Sequence, residues 1–449
     1  MAVVRGRFVC GRSPLLFFMP CTIPSAISHI SEKCVIFVIR LKQAYMCQQI
    51  KLSIKNFGPI KEGSFLIDKY TVLIGGQGTG KSTVAKLFSL FTWLEKALVR
   101  RIYTGKQLQQ GNFKNKSFNE YHRIANYYRA ETELEYDGVH YQFVYANEKL
   151  KVIPKDKQGV EVVKVMYIPA ERNILSAVDK PSSIKGLPEP LSAFLEELEQ
   201  SKLKLKTMTL PLHTGVRFEY DRLNDISWVV GTDYKVRLTE ASSGYQSLVP
   251  MCLVTACLSD MVADTAKSDL NVSDKMKLQK EVNEVMANSR LSEDVKNAML
   301  QNISARFKYS GFVNVVEEME QNLYPLSQKD VLYFLLSQCN KMEANRLMLT
   351  THSPYILNYL ALATKAHALW QIMPHGSKTL RMRLAEIVPE IACVDIEKLT
   401  VYELLEDGTS RRLKHIGDIP TDDNFLNNLL GETNDWFNDL LDLEEQCQA

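Results

Sequence analysis

The stretch Gly75-Gly76-Gln77-Gly78-Thr79-Gly80-Lys81-Ser82-Thr83 constrains this chain more than any other. It reads Gly-x-x-x-x-Gly-Lys-Ser, the Walker A pattern. Glycines in such a loop let successive backbone N–H groups converge on an anion, Lys81 adds a point charge, and the Ser82 hydroxyl can ligate Mg²⁺. The flanks agree with that reading. Tyr70 to Ile74 is a continuous β-prone run, as a buried parallel strand reads, and Ser82 to Glu95 carries Val84, Leu87, Phe88, Leu90, Phe91 and Leu94 in helical composition. Strand, glycine loop and helix stand in the order a phosphate site requires, so Gly75 through Thr83 are the expected cofactor-binding residues.

At 449 residues the chain is long enough for two or three domains, or for one domain with large insertions. Hydrophobic content of 45% and charged content of 24% are ordinary globular values, so it can bury a core. A net charge of +2 sets up no overall field toward nucleic acid or membrane. Such binding needs a local patch, for which Lys202, Lys204, Lys206 and the pair Arg100-Arg101 are the candidates, with solvated surface charge as the alternative. Nine cysteines form an odd set without a C-x-x-C pair, which predicts reduced thiols in cytoplasm, and Cys252 and Cys257 lie in or beside an apolar run as small buried hydrophobes.

Residues 1 to 45 read as a leader that is poorly ordered or a mis-called start. Arg5 and Arg7 precede an apolar run broken by Pro14 and Pro20, and Val35 to Ile39 is far too short to span a bilayer. Regular folding sequence begins near Met46, with alternating Ile50 to Ile54 and a turn at Asn56-Phe57-Gly58-Pro59. An insertion is expected at about 100–235, containing strands Thr132 to Tyr136 and Val139 to Tyr145 around the hairpin signal Asp137-Gly138. Val162 to Ile168 is a further buried-strand candidate, and Leu191 to Lys206 an amphipathic helical arm. The polar stretch 259–310 reads as inserted, exposed helices, and 371–449 as a C-terminal α+β region with an acidic helical end. No apolar segment reads as a membrane domain.

Two later strands end in polar groups. Phe312 to Val316 leads into Glu317-Glu318, and Arg346 to Thr351 leads into His352-Ser353-Pro354. In parallel sheets ligands bind at that edge. Adjacent carboxylates there suit a Mg²⁺ ligand followed by a base that polarises water, the alternative being a solvated pair where the strand emerges.

Taken with Ser242-Ser243-Gly244-Tyr245-Gln246, Leu323-Tyr324-Pro325 and the opening Ile54-Lys55-Asn56-Phe57-Gly58-Pro59-Ile60, these motifs resemble the ABC-type ATPases of the RecF, SMC and OLD group across most of residues 47 to 370. The resemblance implies an α/β fold, an ABC-type P-loop NTPase with a mixed, mainly parallel core sheet, an antiparallel β-layer and an inserted helical arm, in an ATPase domain over 46–370. It implies ATP and Mg²⁺ as cofactors, Ser82 and Glu317 on the metal, Glu318 as catalytic base and His352 as the switch histidine. Ser242, Ser243 and Gly244 would touch nucleotide held by a second subunit, so a homodimer or higher homo-oligomer is expected.

Glu317 stands where Asp is usual and Tyr245 where Gln or Glu is more common, which points to slow turnover. The Q-loop glutamine stays open among Gln107, Gln109, Gln110 and Gln142, with Glu171-Arg172 as another lining. The expected function is a nucleotide-driven dimeric switch in DNA repair or phage defence beside a separate nuclease or toxin effector, with DNA as a further partner. The alternative is a regulatory ATP-binding scaffold with little turnover. No long heptad arm is present, and the residues after His352 are too few for a further full nuclease domain.

Overall fold

The computed structural model describes residues 49–156, 160–264, 272–288, 292–374 and 377–448. The leader, Cys10, Cys21, Cys34 and Cys47, and parts of the 259–310 stretch lie outside the described residues. From Gln49 onward the described chain is one compact unit.

Its centre is a sheet in which β3 (Tyr70–Gly75), β7 (Val163–Ile168), β12 (Gly311–Glu317), β13 (Arg346–Thr350) and β14 (Leu399–Leu404) run parallel in the order β14-β3-β13-β12-β7. A short antiparallel strand, β15 (Ser410–Arg412), closes the β14 edge. Because both faces are covered, the strands read as near-continuous apolar runs. Alternate residues serve different cores: Leu73, Val313, Val315 and Met348 face one, while Val72, Ile74, Phe312, Val316, Leu347 and Leu349 face the other.

On the first face lies α1 (Lys81–Val99), covered in turn by an antiparallel layer of β1 (Ile50–Phe57), β2 (Ile60–Ile67), β4 (Tyr128–Asp137), β5 (Tyr141–Ala146) and β6 (Lys149–Pro154), ordered β2-β1-β4-β5-β6. Phe91 stacks on Tyr136 at 5.4 Å between centroids and meets Phe143 at 5.6 Å. The buried Glu95 accepts backbone N–H bonds from His140 and Tyr141, tying α1 to the β4–β5 turn. On the second face pack α2 (Glu189–Leu205), α3 (Ser243–Ala263), α6 (Pro325–Asn340) and α7 (Pro354–Ile372). Cys252 and Cys257 are buried in α3. Four short strands, β8 (Thr207–Thr209), β9 (Arg217–Asp221), β10 (Ile226–Val230) and β11 (Lys235–Arg237), form a separate antiparallel sheet. The expected parallel core sheet and antiparallel β-layer are present, and the expected helical arm, Leu191 to Lys206, is α2, which packs Leu191, Phe194, Leu195 and Leu198 into the core.

Several expected boundaries fall elsewhere. The stretch 100–235 contains β7, which pairs with β12 in the core sheet, and β4, which pairs with β1, so it is not wholly an insertion. The break at residue 370 is bridged because β14, after it, pairs in parallel with β3. The inserted helices α4 (Val272–Ala287) and α5 (Glu293–Phe307) share a small core of Val285, Ile303 and Phe307, but the 259 boundary falls inside α3. Helix α3 is, by length and composition, apolar enough to cross a membrane, the one such helix among the described residues, and it is mostly buried in the protein core. Arg100, expected on a basic surface, is buried instead: its Nε donates to the Arg306 carbonyl at 3.1 Å and its guanidinium lies 4.5 Å from the Tyr309 ring. Lys202 pairs with Glu199 at 2.7 Å, while Arg101, Lys204 and Lys206 are exposed.

Candidate functional site

The glycine loop leaves β3 at Gly75 and enters α1 at Lys81. Gly75 has φ 142°, and a Cβ there would lie 2.3 Å from the Leu404 carbonyl of β14. Gly80 has φ 107°, and its Cβ would meet Ile60 at 2.8 Å. Only glycine satisfies both demands. Ser82 and Gln77 are exposed, and Thr79 donates to the Gly76 carbonyl at 3.0 Å. Lys81 is buried and curls back, its Nζ donating to the carbonyls of Gly75 at 2.9 Å and Gly76 at 2.7 Å. Burial pushes its pKa down to about 8, against the opposing pull of Glu318, Glu320 and Glu317.

Three carboxylates at the end of β12 thus lie within electrostatic reach of the loop lysine, although 235 and more residues separate them in sequence. Glu317 is buried, and its Oε1 has no hydrogen-bond partner. Glu318 turns the chain out of β12 at φ 43°, unusual for a residue with a side chain, and its N–H donates to the Thr350 carbonyl at 3.0 Å. Its Oε1 stands 3.8 Å from Nε2 of His352. Burial and the nearby Lys81 charge depress the His352 pKa, opposed by Glu318. Glu320 accepts the His352 N–H at 2.7 Å, and burial raises its pKa. Glu318 and His352 were expected at one sheet edge, and Glu320, to which the sequence assigned no role, joins them there.

Among the described residues Arg172 is the largest fully buried side chain, and it organises this edge from behind. Nη1 donates to the Glu317 carbonyl at 2.7 Å and to Pro169 at 3.2 Å, Nη2 to Glu318 at 2.8 Å, and Nε to Ser247 of α3 at 3.2 Å. One planar guanidinium therefore joins the ends of β7 and β12 to α3. Burial lowers its pKa to about 10, with Glu320 the chief opposing charge. Arg172 had been named only as a possible lining next to Glu171, which is exposed.

The other expected residues lie apart from this cluster or at its margin. Ser242 occupies the N-cap position of α3, and Ser242 and Ser243 are exposed. Gly244 packs so closely on the chain after Glu320 that a Cβ would come within 2.8 Å of the Asn322 carbonyl. Of the glutamine candidates, Gln107 accepts the Thr104 N–H at 2.8 Å, Gln109 accepts that of Val152 at 3.0 Å, and Gln142 donates to Glu135 at 2.7 Å. Gln107 thus caps the short helix Gly105–Gln109, Gln109 and Gln142 bond to the β-layer, and Gln110 is exposed. Among the described residues no cluster of His, Cys, Asp and Glu forms a self-contained metal site.

No family model and no curated protein matches the chain. Solved structures similar to it include an SMC head bound to the C-winged helix domain of ScpA, at 12% identity and TM-score 0.33, covering 81% of this chain and 96% of that one. The SMC head domain from Thermotoga maritima is similar at 10% identity and TM-score 0.34, covering 82% and 99%. A dimeric ATP-binding cassette in a post-hydrolysis state, bound to ADP and phosphate, is similar at 10% identity and TM-score 0.27, covering 81% and 100%.

Proposed function

We propose that this chain binds ATP with Mg²⁺ at Gly75 to Thr83 and hydrolyses it, acting as a nucleotide-driven dimeric switch in DNA repair or phage defence with a separate nuclease or toxin effector. The observation that carries the ATPase reading is the meeting of Glu317, Glu318, Glu320 and His352 with the loop lysine at the C-terminal edge of a parallel sheet. The role in repair or defence is supported by the motif resemblance.

The residues present fit a divalent cation. The buried Glu317 Oε1 accepts no hydrogen bond of good geometry, the Tyr167 hydroxyl being the donor nearest its carboxylate, and a cation would satisfy that oxygen. Glu317 and the exposed Ser82 hydroxyl would hold Mg²⁺, which when bound supplies charge neutralisation for the phosphate oxygens. Lys81 exchanges its bonds to the Gly75 and Gly76 carbonyls for phosphate oxygens. Glu318 takes the proton from the attacking water. His352, its pKa depressed so that the neutral imidazole is favoured, stands 3.8 Å from Glu318 and would donate a hydrogen bond to the terminal phosphate. Ser242 and Ser243, exposed at the start of α3, are free to meet nucleotide held by a second copy.

The test is phosphate release by the purified chain and by Glu318→Gln and Lys81→Ala. The proposal expects turnover in the parent, ATP binding with at least about 100-fold slower hydrolysis in Glu318→Gln, and no ATP binding in Lys81→Ala. Tight ATP binding by the parent without any phosphate release would leave the scaffold reading in its place.

A further inference from the structure

The terminal helix α9 (Phe425–Gln448) is anchored at its start, where Leu426 enters the core and the Phe425 N–H donates to Glu403. Beyond that turn it is exposed, yet it carries two apolar rows at heptad spacing: Leu429, Trp436 and Leu443 in one, Leu430 and Phe437 with Leu440 in the other. Their exposures run from 37% to 62%. So wide an uncovered apolar face on one helix marks an interaction surface.

Charge narrows what covers it. Glu432, Asp435, Asp439, Asp442, Glu444 and Glu445 lie on α9, which has no Lys or Arg. Pairing α9 with its own copy would set like charges together. The chain carries a complementary surface elsewhere. Helix α7 exposes Tyr355, Leu362 and Leu369 at heptad spacing, then Ile372 at 77% exposure. The following α8 (Lys378–Ile387) exposes Leu380, Met382 and Ile387. From Pro354 to Ile387 the only acid is Glu386; Lys365 is paired with Asp418 at 3.0 Å and Arg381 lies over the Trp370 ring, which leaves Lys378 and Arg383 as the exposed basic charges. At 1.5 Å per residue the α9 stripe spans about 21 Å and the α7 seam about 26 Å, so their lengths match.

We propose that α9 of one copy docks along the α7–α8 face of a second copy, with acidic residues of α9 against Lys378 and Arg383. Reciprocal docking closes a two-fold dimer. The contact needs no nucleotide, so it is separate from ATP-driven closure and stands or falls without it.

The experiment is light scattering of the full chain in nucleotide-free buffer over a concentration series, repeated on Lys81→Ala. A dimer is expected in both. Phe437→Glu with Leu440→Glu, at exposed positions, should give a monomer that keeps a cooperative unfolding transition, its midpoint no longer dependent on concentration. Lys378→Glu with Arg383→Glu should weaken association by about tenfold or more, and adding Asp435→Lys with Asp439→Lys should restore it. A monomeric parent, whether α9 stays free, folds back on its own α7 or serves a different protein, overturns the proposal. So does a dimer indifferent to the Phe437 and Leu440 substitutions.

Discussion

Arg172 shows how much one side chain can hold. Its partners are four carbonyl oxygens, from Pro169, Ser247, Glu317 and Glu318, on three elements. Arg172→Met would leave those buried acceptors without a donor and should cost on the order of 4 kcal/mol, read as a lower denaturant midpoint. Arg172→Lys keeps the charge but offers donors from a single point, so it should recover only part of that loss. Full stability in Arg172→Met would show that the clamp is dispensable. Lys81 carries the pH dependence. Its free pKa is held down to about 8, and a bound phosphate raises it. The charge therefore contributes fully to ATP affinity below about pH 8 and is lost as pH rises through the higher bound-state value. Calorimetry should show affinity falling and proton uptake growing above about pH 8; constant affinity from about pH 7 to about pH 9 would contradict this.

Among elements, the contact between β3 and β14 sets the floor of the phosphate loop. Gly75 closes β3 in register with Leu404, and the missing Cβ is what lets the two strands approach. Gly75→Ala would have to move the backbone of β14 or distort φ at Gly75, at a cost of about 2 to 3 kcal/mol. The expected readout is a lower unfolding midpoint together with weaker ATP binding, since strand and loop shift as one; a midpoint equal to the parent's would sink the argument. Elements with a local signature were legible beforehand: the alternation of Ile50 to Ile54, the Asp137-Gly138 turn and the apolar runs ending at Ile74 and Val316 all became strands or turns where expected. Element membership was not. Nothing in Leu399 to Leu404 says that it will lie beside β3 rather than in a separate region, because parallel pairing is decided by which buried strand finds an open edge, not by local propensity.

For the whole molecule, the glycine loop Gly75 to Thr83 was legible in the sequence alone, because a Walker A pattern is built from consecutive residues and needs no distant partner to be recognised. The two polar strand ends were legible in kind, since carboxylates and a histidine after buried runs are costly without a task. The tertiary structure alone decided that Glu317, Glu318 and Glu320 lie within electrostatic reach of Lys81, that Glu320 holds the His352 backbone, and that Arg172 ties the edge to α3. It alone removed Arg100 from the surface and left the stripe of α9 uncovered. The reason is common to all of these. Sequence periodicity reports which face of an element is apolar, whereas a guanidinium reaching carbonyls up to 146 residues away leaves no pattern at any fixed spacing.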